Sequence, residues 1–566
     1  MHSNTWNPRR RAAVGLLAGS LAVGGVVLLP TAAQAATGVA VGGNTLIVEA
    51  AAGQANDFQL SLTNDTLTVI DHANVLPVGN GCVSINRQTA ECDVSTVTLV
   101  RITAGDLDDT VLSAVPLATT VNAGAGNDTV TTGSRDDTLN GGDDTDVLTG
   151  GAGADSLNGG AGTDTLAGEA GRDTMVSGNP DGADTFSGGA DTDTADYSGR
   201  TAALVADLDG TADDGESGEK DNLATDVEEI KGGSAADTLT GSDLATVTNR
   251  LLGGPGADTL TGFAGRDVLV GNEGSDTMVG GEGNDDFYPN LGQDTMAGGN
   301  GRDEVFYSER TARVEVTLDG TANDGEIGEG DNVGADFEDV NGSDGPNRLV
   351  GNGADNTLIG GPDRDILLGQ GGLDFLGGES GDDRLDGGTQ DDTVNGQSGN
   401  DTLIGGPGSD HLNGGDEDDT LFGGNDVAPT VQDGADDMTG GTGFDTVDYS
   451  DHGGIAVSVS LDEQANDGTT GQNEGDNAGF SIERVIGGSG GDFLVGNDED
   501  NTLIGGKFGT DGADQLFGRG GVDQVLGSFG NDTLDCGAGS PDVGDGGPGT
   551  DQLAPFASCE ITLNLP

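Results

Sequence analysis

The chain has 566 residues, of which 33% are hydrophobic, 4% aromatic and 107 are glycine. That composition excludes a set of ordinary globular cores, and glycine without a three-residue period excludes collagen. With 99 acidic against 21 basic residues the formal charge is −78, which repels nucleic acid and opposes compaction of a metal-free chain.

The first segment reads as a targeting signal. Arg9, Arg10 and Arg11 precede an apolar run from Ala12 to Leu29, and Ala33-Gln34-Ala35 offers a small-residue cleavage site before Ala36. Residues 1–35 are therefore expected to be a secretory signal peptide. The rest holds no apolar run long enough to span a bilayer, so no integral membrane segment is expected after its removal. Removal leaves 18 basic against 99 acidic residues, a net −81. Four cysteines remain, and in a secreted chain two disulfides are expected. Local pairing, Cys82 with Cys92 and Cys536 with Cys559, is the simplest of the three connectivities. Zinc is not expected, because neither pair has a CxxC spacing or a nearby histidine.

Residues 36–104 alternate like β-structure, with short strands expected at Thr45 to Val48, Phe58 to Leu62, Thr66 to Ile70 and Val97 to Ile102. They read as a small β cap shielding the end of a repeat array. Arrays of a nine-residue unit follow at 105–196, 232–306, 342–448 and 487–553, with a C-terminal cap at 554–566. The third array is the most regular. From Asn347 to Asp419 an acidic or amide residue recurs every ninth position, glycine stands five residues before it and an aliphatic residue two after it, as at Gly360, Asp365 and Leu367. A disordered acidic linker has no reason to keep such phase. Turn, ligand and short strand, stacked many times, is the physical reading.

Three longer units separate the arrays, at 197–231, 307–341 and 449–486. Each opens on a tyrosine (Tyr197, Tyr307, Tyr449), continues through a strand-like segment into an acidic loop, and returns through an apolar segment containing Glu228, Glu338 or Glu483. The loops carry many oxygens, as at Asp319, Asn323, Asp324, Glu326, Glu329 and Asp331, but not the EF-hand spacing. Metal-ion sites and a solvated acidic surface are both open readings of them.

Where best formed, as in Gly150 to Asn158 or Gly405 to Asn413, the unit reads GGxGxDxUx. From about Asp109 to Leu553 the chain resembles the hemolysin-type, or RTX, calcium-binding repeat family. Its spacers and two-cysteine ends are similar to those of secreted bacterial calcium-binding proteins built largely from such repeats. The resemblance implies an all-β fold: a parallel β-roll or β-helix solenoid of nonapeptide repeats with a small N-terminal β cap and three repeated spacer units. Glycine-rich turns presenting backbone oxygens and one carboxylate suit Ca2+, which accepts about six to eight oxygens in flexible geometry, better than magnesium.

The expected calcium ligands are Asp128, Asp137, Asp146, Asp155, Asp164, Asp173, Asp184 and Asp193 in the first array, and Asp237, Asp258, Asp267, Asp276, Asp285, Asp294 and Asp303 in the second. In the third they are Asp365, Asp374, Asp383, Asp392, Asp401, Asp410, Asp419, Asp436 and Asp445, and in the fourth Asp492, Asp514, Asp523 and Asp532. Amides replace the carboxylate at Asn249, Asn347, Asn356 and Asn501, and the fourth position is not glycine at Ala354, Asp363, Gln390 and Glu417, so weaker sites are expected there.

A secreted calcium-ion-binding repeat protein that folds on Ca2+ into a rigid rod with a structural or surface role is the leading expectation, without catalysis. The alternatives are a calcium-dependent adhesin with a cell-surface or matrix partner, and a polysaccharide-acting enzyme on a β-solenoid. After the signal only His72, His411 and His452 remain; no HExxH occurs, and no GxSxG stands between a strand and a helix. His411 falls at an outward position of its repeat.

Overall fold

A computed structural model describes residues 38–178, 182–424, 434–462, 464–470, 475–507, 511–555 and 559–564. The expected signal peptide at 1–35 lies outside the described residues. Among the described residues every regular element is a strand.

The strand arises from one unit's last three residues and the next unit's first three. In Ser156–Ala161 the side chain of Leu157 and the Cβ side of Gly159 face inward while Ser156 and Asn158 are half-buried, the alternation of a strand with one face on a core. Threonine, at home on a pleated surface, fills the outward seventh position at Thr165, Thr277, Thr393 and elsewhere. Thr138–Asp143 pairs in parallel with Ser156–Ala161, Leu139 opposite Leu157, so pairing partners are 18 residues apart. Two units close one coil, and alternate units fall on opposite faces.

One face carries a 20-stranded sheet, and the strands opposite it fall into sheets of 10, 7 and 13; the last coils lie between the 13-stranded sheet and a 6-stranded one. The aliphatic eighth positions meet in the middle. Leu367, Leu385 and Leu403 stack in register from one face, Leu358, Leu376 and Val394 from the other, all fully buried. Each such leucine contributes about 1.5–3 kcal/mol by leaving water. Because the core is one side chain deep from each side, those contributions come in a long row rather than a cluster.

Each spacer is one enlarged coil. At the first, Thr185–Ala190 pairs with Asn222–Leu223 and its sheet stops; Leu204–Asp207 restarts a sheet by pairing with Thr238–Thr240. On the other face Thr194–Asp196 passes directly to Glu229–Lys231. The second spacer repeats this between Thr295–Asn300 and Asn332–Val333, restarting at Val314–Thr317, while Glu304–Phe306 passes to Asp339–Asn341. The third interrupts the opposite face: Asp437–Thr442 ends on Asn477–Ala478, Val457–Ser460 restarts, and Thr446–Asp448 passes to Arg484–Ile486.

The N-terminal strands are continuous with the roll rather than a separate module. Gly38–Gly42 pairs antiparallel with Thr45–Glu49, which lies parallel to Leu99–Asp106, itself parallel to Ala118–Ala125. On the facing side Asp57–Thr63 pairs antiparallel with Thr66–Asp71 and parallel with Thr110–Ser113. The cysteines pair locally, Cys82 with Cys92 and Cys536 with Cys559, the two disulfides lying toward opposite ends of the chain.

Candidate functional site

The recurring aspartate sits where a strand begins, and its two carboxylate oxygens have different surroundings. Oδ1 accepts the backbone N–H of the aspartate one coil earlier: Asp137 donates to Asp155 at 2.7 Å, Asp155 to Asp173 at 2.7 Å, Asp365 to Asp383 at 2.7 Å and Asp383 to Asp401 at 2.8 Å. Asp164, Asp184, Asp410 and Asp436 hold the same register. The pairing at 18 residues thus makes a ladder of amide-to-carboxylate bonds along the molecule.

Oδ2 is buried without a hydrogen-bond partner at Asp128, Asp146, Asp155, Asp173 and Asp193, and at Asp258, Asp267, Asp276, Asp285, Asp294 and Asp303. The same holds for Asp365, Asp374, Asp383, Asp392, Asp401, Asp419 and Asp445, and for Asp492, Asp514, Asp523 and Asp532. One unsatisfied buried polar atom costs about 1–3 kcal/mol and a charged one more, so a repeated series of them marks a place for a compensating ligand. The first glycine of the unit shows where that place is. A Cβ on Gly262 would meet Asp267 Oδ2 at 2.6 Å and the Gly280 carbonyl oxygen at 2.7 Å; one on Gly387 would meet Asp392 Oδ2 at 2.6 Å and the Gly405 oxygen at 2.9 Å. Carboxylate and carbonyl oxygens from two coils converge on a spot that only glycine leaves open.

The electrostatics agree. Burial, reinforced by the aspartates of adjoining coils, raises Asp146 and Asp155 to about 7 and Asp365 to about 8. Asp294 reaches about 8 by burial with Asp331 and Asp276 beside it. Carboxylate oxygens that no N–H reaches, in a negative environment, fit a hard cation such as calcium.

Two expected ligands differ. Asp137 Oδ2 accepts the Gly133 N–H at 3.3 Å and Asp237 Oδ2 the Gly233 N–H at 2.7 Å, so a backbone donor closes those cradles. The amide positions are closed from within: Asn347 Nδ2 donates to the carbonyls of Ser343 and Gly360 at 3.0 Å each, and Asn356 Nδ2 to Glu338 at 3.0 Å. At Asn249 the Nδ2 donates to Asp267 Oδ1 at 2.7 Å. Asn347 thus turns an –NH2 to the first glycine of its unit, where an aspartate turns Oδ2, whereas Asn356 and Asn501 turn Oδ1 there and accept the N–H of Asn352 and Asn497 at 2.8 Å each. At the fourth position Asp363, Gln390 and Glu417 keep the left-handed turn, at φ +69°, +82° and +77°.

The spacers join the ladder. Asp184 donates its N–H to Asp221 at 2.9 Å, Asp294 to Asp331 at 3.0 Å and Asp436 to Asp476 at 3.1 Å. Here Oδ2 is taken by the spacer tyrosine: the hydroxyls of Tyr197, Tyr307 and Tyr449 donate to Asp221, Asp331 and Asp476 at 3.0, 3.0 and 3.2 Å. Glu228, Glu338 and Glu483 receive the N–H of Asp193, Asp303 and Asp445 on the continuous side. The acidic loop therefore splits in role. Asp214 is buried and accepts from Asp207 and Leu223, while Asp207, Asp209 and Asp213 bring carboxylate oxygens within 4.8 Å of one another at the surface.

Asp109, Asp542 and Asp551, which stand loosely at the start of the first array and the end of the fourth, also carry buried Oδ2 atoms without hydrogen bonds, and so does Asp511, which the nine-residue period does not reach. An insertion displaces Asp511 from the period, so only the fold places it. His411 is exposed beside Asp437 at 3.2 Å, and His452 is buried against Tyr449 with Asp451 at 3.0 Å.

A family model described as the RTX calcium-binding nonapeptide repeat (4 copies) matches residues 122–157, 140–175, 248–278, 270–305, 341–376, 377–412, 395–427, 479–507 and 508–541. Each match falls on coils of the ladder. No curated protein matches the chain.

Proposed function

The chain belongs to the RTX calcium-binding nonapeptide-repeat family, and from that premise we propose that it is a secreted protein whose aspartate ladder takes up many calcium ions and folds with them into a stiff rod of structural role. The buried Oδ2 atoms without hydrogen bonds carry this reading. Each ion would be held by the aspartate of one unit and by glycine carbonyls of the adjoining coil, and it supplies the positive charge those oxygens lack. With about 35 units, one calcium per unit brings at most about +70 against −81. Neutralisation on that scale makes binding free energy folding free energy. The two disulfides fit an oxidising compartment.

A non-catalytic role is part of the proposal. A groove of about 750 Å³ beside the first two spacers contains Lys231 and Arg310, and both cations are engaged, with Glu229 at 3.2 Å and Glu329 at 2.6 Å.

Circular dichroism during a calcium titration tests the reading. The metal-free chain at pH 8 is expected to lack most of its β signal and to gain it cooperatively at about 10⁻⁴–10⁻³ M calcium, the range of extracellular modules. Full β-structure without calcium would sink it.

A further inference from the structure

The fourth array breaks its period between Gly505 and Asp514, where Gly505-Gly506 is followed by Lys507 and a four-residue excess before the aspartate. Lys507 is pinned by an ion pair with the buried Asp448. Past the insertion stands Asp511, where a regular unit has its third residue. Regular third residues such as Asp143 lie at the surface. Asp511 turns inward instead, and its Oδ2 is buried without a hydrogen-bond partner.

It turns toward two ladder members. Asp492, Asp511 and Asp514 bring one carboxylate oxygen each within 4.8 Å of one another. Asp492 and Asp514 are 1% exposed, and the Oδ2 of each is likewise without a hydrogen-bond partner. The lining differs from that of a regular coil. A Cβ on the second glycine of a unit ordinarily faces a backbone carbonyl of the coil before, as Gly361 faces the Ser343 oxygen at 2.7 Å; at Gly506 it would face Asp511 Oδ2 as well as the Gly488 carbonyl. Each carboxylate accepts one backbone N–H at Oδ1, from Val457, Gly512 and Asp492 for Asp492, Asp511 and Asp514, but nothing reaches the three Oδ2 atoms, and carboxylates held this close repel one another in the absence of a cation.

We propose that Asp492, Asp511 and Asp514 form a separate cation site in the fourth array, one that binds calcium more tightly than the ladder and gains further with a trivalent ion. The proposal rests on the ladder's calcium chemistry but depends on Asp511, which the ladder does not use. Ligand charge count tunes calcium affinity. A divalent ion leaves this site with one negative charge, and a trivalent ion neutralises it.

The test is radiocalcium equilibrium dialysis of the full chain, as wild type, Asp511→Asn and, for comparison, the ladder variant Asp383→Asn. Wild type is expected to retain one ion at about tenfold lower free calcium than the rest. Asp511→Asn is expected to lose that one ion and keep the others, and Asp383→Asn to keep the tight ion. Identical isotherms for wild type and Asp511→Asn overturn the site and leave the ladder standing. A wild type that binds one ion only, lost in Asp511→Asn, overturns the ladder and leaves the site. Should Asp511→Asn fail to fold, lanthanum competition on wild type decides: one calcium displaced at about tenfold lower lanthanum than the others supports the site, and uniform displacement overturns it.

Discussion

At φ +135° Gly283 directs its missing side chain at the carbonyl of Gly265, one coil earlier, where a Cβ would overlap backbone rather than a side chain able to move. Gly283→Ala is expected to destabilise the calcium-loaded protein by about 3 kcal/mol or more, read as a lower thermal midpoint in saturating calcium; an unchanged midpoint would contradict the close approach. Asp363, at φ +69°, shows the milder case, since that conformation costs a non-glycine residue about 1–2 kcal/mol. At this scale the sequence was informative about identity and less so about state. Gly360, Asp365 and Leu367 announced turn, carboxylate and core from spacing alone. That Asn347 turns its amide onto Ser343 and Gly360 was not readable, because it depends on which oxygens another coil brings near.

The spacer is the element whose form and sequence pattern diverge most. Its recurrence was visible from Tyr197, Tyr307 and Tyr449, but its nature as one enlarged coil was not. The bonds that make it so join residues 24 apart, Tyr307 to Asp331, and 37 apart, Asp294 to Asp331, and neither distance is a multiple of nine. The tyrosine hydroxyl stands in for a cation at the second carboxylate oxygen, Asp331 Oδ2, and Arg310 backs the ring at 5.4 Å while pairing with Glu329. Tyr307→Phe keeps the ring and removes the donor. It is expected to cost about 1–3 kcal/mol, measured by thermal unfolding in saturating calcium, and a cost near zero would show that the hydroxyl contributes nothing to Asp331. The third spacer has His452 where the first two have Arg200 and Arg310, a difference that the sequence displayed but gave no reason for.

For the molecule as a whole, protons and calcium compete for the same oxygens. Aspartates of the ladder titrate near 3.8 when unfolded but at about 6 in Asp523, about 7 in Asp146 and about 8 in Asp294 when buried together. Between those limits the folded chain binds more protons than the unfolded one, so the metal-free roll is most stable below pH 4 and loses that stability as pH rises through 6 to 8. More β signal at pH 5 than at pH 8 is expected without calcium, with calcium affinity rising over the same interval; more at pH 8 would contradict the sign. Stacked turns and short strands were legible in the nine-residue period and the parallel roll in the family resemblance that period carries, but the assignment of faces was not, and it follows from counting. The second array contributes eight strands, from Thr238–Thr240 to Glu304–Phe306, and the third eleven, from Arg348–Val350 to Thr446–Asp448. An even number returns the chain to the face it left, and an odd number delivers it to the other, which is why the third spacer interrupts the face that the first two leave whole. Growth of such a chain therefore obeys a parity rule: a duplication of 18 residues leaves every later spacer on its own side, whereas one of nine carries all of them across.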